Sequence, residues 1–146
     1  MRSARPQQFK LALLCGFGLA LSACSGLSGP EDNRAGLSCI DDSTECVQQR
    51  QGTLQAMLAD KDRAWVKEAP TPHAHASGVR LFAFRSKKTE LSCEELAHGR
   101  KEAESAPKAL KGGQGLSPAQ ISRASMFAAE VNKELSVEMK KRRCRA

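Results

Sequence analysis

Two histidines in a proline-rich segment are the first side chains of this sequence that could do chemistry. His73 and His75 stand two residues apart. From an extended loop, both could coordinate a metal ion, with Glu68 as a neighbouring carboxylate. Two histidines alone make an incomplete site, so we expect no bound metal and keep His73 and His75 only as weak candidates. Cysteine-rich metal sites commonly use Cys-x-x-Cys pairs, and the sequence contains none.

Patterns typical of catalysis are also missing from the sequence. It has no Gly-x-Ser-x-Gly motif. Glu94 and Glu95 form a pair of carboxylates, but adjacent residues on a helix point in different directions and would not flank a substrate. We therefore expect a protein without enzymatic activity and without a cofactor.

A run of cations near the C terminus is the remaining candidate site: Lys140, Lys141, Arg142 and Arg143. One interpretation is a solvated helix end, where positive charge complements the helix dipole. The alternative is contact with anionic lipid or cell-wall polymer, because clustered cations attract phosphate-bearing surfaces.

The N-terminal segment has the features of an export signal in the required order. Three basic residues come first, Arg2, Arg5 and Lys10. An uncharged apolar core follows over residues 11–21, roughly half the length of a membrane-spanning helix. This length indicates a signal peptide and not a transmembrane segment.

Directly after this core, Leu21-Ser22-Ala23-Cys24 resembles the lipobox of bacterial lipoproteins. The resemblance implies cleavage before Cys24, diacylglycerol on its thiol and acylation of the new amine. It also implies membrane attachment in the bacterial cell envelope. Ser25, where an Asp would favour retention, implies the outer membrane with the protein facing the periplasm. The alternative is an ordinary secretory signal that happens to contain a cysteine.

The lipobox interpretation divides the chain and its cysteines. Residues 1–23 are the signal peptide, residues 24–38 a lipidated flexible tether rich in Gly, Ser and Pro, and residues 39–146 a small domain. Cys15 leaves with the signal, and four cysteines remain beyond the anchor: Cys39, Cys46, Cys93 and Cys144. An even number in an oxidising compartment favours two disulfides over a metal site.

Three connectivities are possible for these four cysteines. We favour Cys39–Cys46 with Cys93–Cys144, because Cys93 opens one predicted helix and Cys144 closes another. Antiparallel packing of those helices would bring the two ends together.

Residues 39–146 predict an all-α fold, a three-helix domain stapled by its disulfides. The first helix should begin after Ser43 or Thr44 and run to about Lys67, and residues 69–78 should form a loop. The apolar segment 79–84 fits a short strand or a buried turn of helix, and helical or irregular packing is favoured because no second strand is evident.

Two further helices begin at clear capping signals. Ser92-Cys93-Glu94-Glu95 is a capping box, and the helix after it should run to about Ser105, before Pro107. Its apolar face is thin, so we expect it on the surface of the bundle. Ser117-Pro118-Ala119-Gln120 should start the third helix, which continues to about Arg143.

The net charge and the predicted compartment limit the functions that the protein can have. Loss of residues 1–23 removes three basic and no acidic residues, so the net charge falls from +7 to +4. No aromatic-and-basic pattern for nucleic acid appears. The leading hypothesis is a non-enzymatic, lipid-anchored module that binds another envelope protein or supports the envelope. A binder of anionic lipid or polymer is the alternative, and a His-x-His metal carrier is a weaker one.

Overall fold

The chain folds into helices joined by short turns in the computed structural model, which describes residues 36–145. The helices follow in the order α1 (Thr44–Ala59), a 3-10 helix (Ala64–Lys67), α2 (Pro72–Ser77), α3 (Val79–Lys87), α4 (Cys93–Lys111) and α5 (Pro118–Lys141). The described range contains no strand, which confirms the all-α prediction. The predicted signal peptide, Cys24 and most of the predicted tether lie outside the described residues.

The bundle has more helices than the three predicted, because one predicted helix divides and one predicted loop is helical. α1 ends at Ala59, well before Lys67. The Asp60 carboxylate accepts hydrogen bonds from the backbone N–H groups of Asp62 (3.0 Å) and Ala64 (3.0 Å). This local turn replaces the next turn of helix, as carboxylates close to their own backbone often do.

The segment predicted as a loop contains α2. Thr71 caps this helix by accepting a hydrogen bond from the N–H of Ala74 (3.1 Å), Pro72 occupies the first turn, and Gly78 ends it with φ of 71°. The chain then continues directly into α3. Residues 79–84 are therefore helical, as the sequence favoured.

Helix α4 departs from its predicted length and position. Its capping box is present as expected, with Ser92 accepting from the N–H of Glu95 (3.1 Å). The helix passes through Pro107 and ends at Lys111, because Ala106 and Leu110 are fully buried and their packing outweighs the cost of the proline. The expected surface position is also wrong, because Leu96 is buried as well.

α4 and α5 form the antiparallel pair at the centre of the domain. Cys93 at the start of α4 is bonded to Cys144 beyond the end of α5, and a second disulfide joins Cys39 to Cys46. Both pairings are those expected from the sequence. The core between the helices is formed by residues with little or no exposure: Leu81, Ala83, Phe84, Leu91, Leu96, Ala106, Leu110, Ala128, Val131 and Leu135.

Two close approaches determine how other segments pack. Gly99 of α4 lies against the buried ring of Phe84, where a Cβ atom would stand 2.5 Å from a ring carbon. Gly36 packs on α1, where a Cβ atom would collide with the Thr53 side chain and the Gln49 carbonyl. Residues 36–38 are helical. Gly36 and Leu37, which the sequence assigned to the tether, thus already pack against the domain.

Candidate functional site

An open apolar groove lies between α1, α3 and α5, with the junction of α2 and α3 at its base. We refer to it as the α1/α3/α5 groove. Its volume is about 300 Å³, at the lower end of the range for binding sites. The apolar side chains along it come from these three helices and, for Ala76, from the end of α2: Val47, Leu54, Ala76, Val79, Phe82, Ala124 and Phe127.

Phe82 gives this groove an exposed apolar wall. Its side chain is 45% exposed, although it stands in the most apolar segment of the domain. The neighbouring residues Leu81, Ala83 and Phe84 are buried in the core. Phe82 therefore belongs to the opposite face of α3, and large apolar surface at an open groove is typical of an interaction site.

Salt bridges between α3 and α5 fix the two walls of the groove. Arg85 contacts Glu134 (2.7 Å) and Glu130 (3.3 Å), and its guanidinium lies 6.0 Å from the ring centre of Phe127. Lys88 also contacts Glu134 (2.5 Å). The hydrogen bond from Lys88, with the charges of Lys88 and Arg85, lowers the pKa of Glu134 despite partial burial.

The other end of the groove carries two guanidinium groups. Arg50 and Arg123 both line the groove, and Asp42 lies between them, at 3.9 Å from Arg50 and 3.8 Å from Arg123. The Asp42 side chain is 77% exposed. Ion pairs this long and this exposed contribute little to stability, so another carboxylate can replace Asp42.

The small disulfide loop holds Asp42 in this position. Arg50 Nη1 donates to the carbonyl groups of Cys39 (3.3 Å) and Asp41 (2.6 Å), and Gln120 Nε2 donates to the carbonyl of Ile40 (3.1 Å). With the Cys39–Cys46 bond, these contacts attach the loop to both α1 and α5. Arg50 thus has a structural role, whereas Arg123 is 65% exposed and has Asp42 as its ion-pair partner within residues 36–145.

A buried ion pair lies in the core. Arg80 and Glu102 are almost completely buried, and the guanidinium binds the carboxylate through Nε–Oε1 (2.9 Å) and Nη2–Oε2 (2.7 Å). Arg80 also donates to the carbonyls of Trp65 (2.8 Å) and Glu68 (2.9 Å). Every polar group of the pair has a partner, so this cluster positions the 3-10 helix, α3 and α4 against one another.

The two candidate metal ligands are not brought together. His73 and His75 lie on α2, where residues two apart point to opposite sides, and not on an extended loop. His75 is buried, and burial lowers its pKa, whereas His73 is partly exposed. No group of three histidine, cysteine or carboxylate side chains in residues 36–145 could hold a metal ion.

The C-terminal cations lie together at the end of α5. Lys140 to Arg143 are exposed, and Arg142 donates from Nη1 to the carbonyl of Leu91. Glu95, in the first turn of α4 next to the Cys93–Cys144 disulfide, binds Arg63 through two hydrogen bonds (2.7 and 3.3 Å). The hydrogen bond from Arg63 lowers the pKa of Glu95.

Sequence reasoning missed the groove, although one signal was present. The apolar run 79–84 has more apolar residues than one buried face of a helix can hold. This already implied that at least one apolar side chain of the run is exposed. That Arg50 and Arg123 meet at Asp42 depends on tertiary packing and has no local signal.

None of the helices within residues 36–145 is long and apolar enough to cross a bilayer. Comparison of the chain with protein-family models, curated proteins and solved structures finds no match.

Proposed function

We propose that this chain is a lipid-anchored protein of the bacterial envelope, without enzymatic activity, whose helical domain docks another envelope protein in the α1/α3/α5 groove. The observation that carries the proposal is the groove itself, with Phe82 nearly half exposed at its wall. Walls joined by salt bridges and lined by apolar side chains favour a preformed docking site, for which little ordering is needed on binding.

The anchor limits where that partner can be. Eleven residues, 25–35, separate the proposed lipobox cysteine, Cys24, from the packed region that includes Gly36. A flexible chain of that length reaches on the order of 20 Å. With lipid on Cys24, the partner must present its docking segment close to the membrane surface, and the outer membrane facing the periplasm is the location we propose.

Photocrosslinking tests this function at the groove. A photoreactive phenylalanine analogue is placed at Phe82 in the full-length chain and irradiated in intact envelopes. The matched control places the same analogue at Glu104, which is exposed on α4 and does not line the groove. We expect a discrete protein adduct from position 82 and none from position 104. Equal labelling at both positions, or no adduct at position 82, would contradict the proposal.

A second candidate function uses the C-terminal cations. Lys140 and Arg143 are exposed, and no carboxylate of residues 36–145 forms a salt bridge with either. Contact with anionic lipid or cell-wall polymer is therefore the alternative function. Binding of the domain to vesicles containing phosphatidylglycerol should weaken with salt and after Lys140→Gln with Arg143→Gln. Binding that ignores both changes would exclude this alternative.

A further inference from the structure

We infer that the segment docking in the α1/α3/α5 groove is acidic, with apolar side chains on Phe82 and Phe127 and a carboxylate on Arg123 and Arg50. This inference rests on the proposed docking function and adds the chemistry of the partner. The groove combines an apolar floor with two guanidinium groups at one end. A ligand that matches both parts carries apolar groups and a negative charge about two helical turns apart or less.

Charge complementarity selects the acidic partner. Asp42 already shows the group that this end of the groove accepts, a carboxylate between two guanidiniums. Both contacts are long, 3.8 and 3.9 Å, and Asp42 is 77% exposed. The Asp41 carboxylate is engaged elsewhere, accepting a hydrogen bond from the N–H of Ser43 (2.9 Å). A partner carboxylate can therefore displace Asp42 and bind two cations at little cost.

The length and openness of the groove favour a protein segment. The wall formed by α1 extends from Val47 to Leu54, two helical turns or about 10 Å. A helix in this groove would place two apolar side chains one turn apart, the usual arrangement for a helix bound in an apolar groove. Small-molecule sites enclose most of their ligand, and this groove leaves its mouth open along Phe82.

The test uses the adduct from the photoreactive analogue at position 82 in envelopes. Asp42→Asn removes the competing carboxylate, and we expect about two- to fivefold more adduct. Arg123→Glu reverses the charge at the head of the groove, and we expect a loss of about tenfold or more. Arg50 is left unchanged because it holds the carbonyls of the disulfide loop. Lys101→Glu, on the exposed face of α4, makes the same charge change away from the groove and should not alter the yield.

Mass spectrometry of the crosslinked peptide gives a second readout. We expect an Asp or Glu within about two helical turns of the crosslinked residue. A protein adduct whose yield ignores Asp42→Asn and Arg123→Glu would overturn the acidic partner while leaving the docking function intact. An adduct with the mass of a lipid would overturn it in favour of an anionic amphiphile. No adduct at position 82 in any variant would overturn both the inference and the proposed function. Asp42 and Arg123 are exposed, so we expect both variants to keep the native fold. Thermal unfolding of each variant checks this expectation.

Discussion

Replacing Glu102 by Gln should strongly destabilise the domain, although the two side chains have almost the same shape. The change leaves the Arg80 guanidinium, 1% exposed, without the carboxylate that binds it at 2.9 and 2.7 Å. Within residues 36–145, the other hydrogen-bond acceptors of Arg80 are the carbonyls of Trp65 and Glu68, which cannot neutralise its charge. The structure thus predicts a buried cation held by neutral acceptors alone.

Removing one partner of a buried ion pair costs about 3–5 kcal/mol. For a domain of this size, the whole free energy of unfolding is on the order of 5–15 kcal/mol, so the loss is a large fraction of it. With a urea m-value of about 1.5 kcal/mol/M, a loss of 3 kcal/mol lowers the urea midpoint by about 2 M.

Urea unfolding followed by Trp65 fluorescence measures this loss. Trp65 is the one tryptophan of the chain, is buried, and lies 4.8 Å from the ring of Phe84. Glu104→Gln, two residues away on the exposed face of α4, is the matched control and should change the free energy of unfolding by less than about 0.5 kcal/mol.

A double-mutant cycle separates the ion pair from simple loss of packing. Arg80→Met with Glu102→Leu removes both charges, so the double variant should lose clearly less than the sum of the two single losses. The double variant should not regain the full free energy of unfolding of the native chain, because the carbonyls of Trp65 and Glu68 also lose their donor. A Glu102→Gln variant within 1 kcal/mol of the native chain, or fully additive losses in the cycle, would refute the reasoning.

Four further predictions concern stability. In urea unfolding, Gly52→Ala should stabilise by about 0.5–1 kcal/mol, because nothing lies within 4 Å of the added carbon. Gly99→Ala should instead destabilise the domain by about 1–3 kcal/mol, because its added carbon would overlap a buried ring. If both glycine variants changed the free energy of unfolding in the same direction, the packing described at Gly52 and Gly99 would be contradicted. Burial lowers the pKa of His75, so the unfolded chain binds more protons than the folded one, and stability should fall as the pH drops below about 6.5. Thermal unfolding of His75→Leu should lose that pH dependence, and an unchanged pH profile would exclude His75 as its source. Replacing Cys93 and Cys144 by Ser should cost about 4 kcal/mol in the chain-entropy model, and a loss below 1 kcal/mol would show that the staple is dispensable.

Local chemistry made the starts of α4 and α5 predictable from the sequence. Ser92 with Glu95, and Ser117 with Gln120, satisfy each other's backbone groups within four residues, and both capping boxes are present. The disulfide pairing followed from the same helix ends. These features depend on residues close in sequence, or on the ends of elements that the sequence already defines.

The sequence did not predict helix ends and burial correctly where distant contacts or competing local hydrogen bonds determine them. The Asp60 side chain ends α1 through two backbone hydrogen bonds, whereas the sequence predicted a helix that runs to about Lys67. Pro107 stays inside α4 because its neighbours are buried in the core. Arg80 binds Glu102, which lies 22 residues further along the chain, and no spacing rule identifies such a pair. The groove depends on three helices at once, so its position required the fold.

The most direct test of a lipid-tethered docking domain is the yield of the position-82 adduct in intact cells, compared between two forms of the chain. One form keeps the native residues 21–24, which we propose to be a lipobox, and the other is exported with an ordinary secretory cleavage site and no Cys24. Tethering raises the effective concentration of the domain near a membrane partner, so we expect at least about a tenfold higher yield from the lipidated form. Equal yields from the two forms would contradict the account, because docking would then not depend on the anchor.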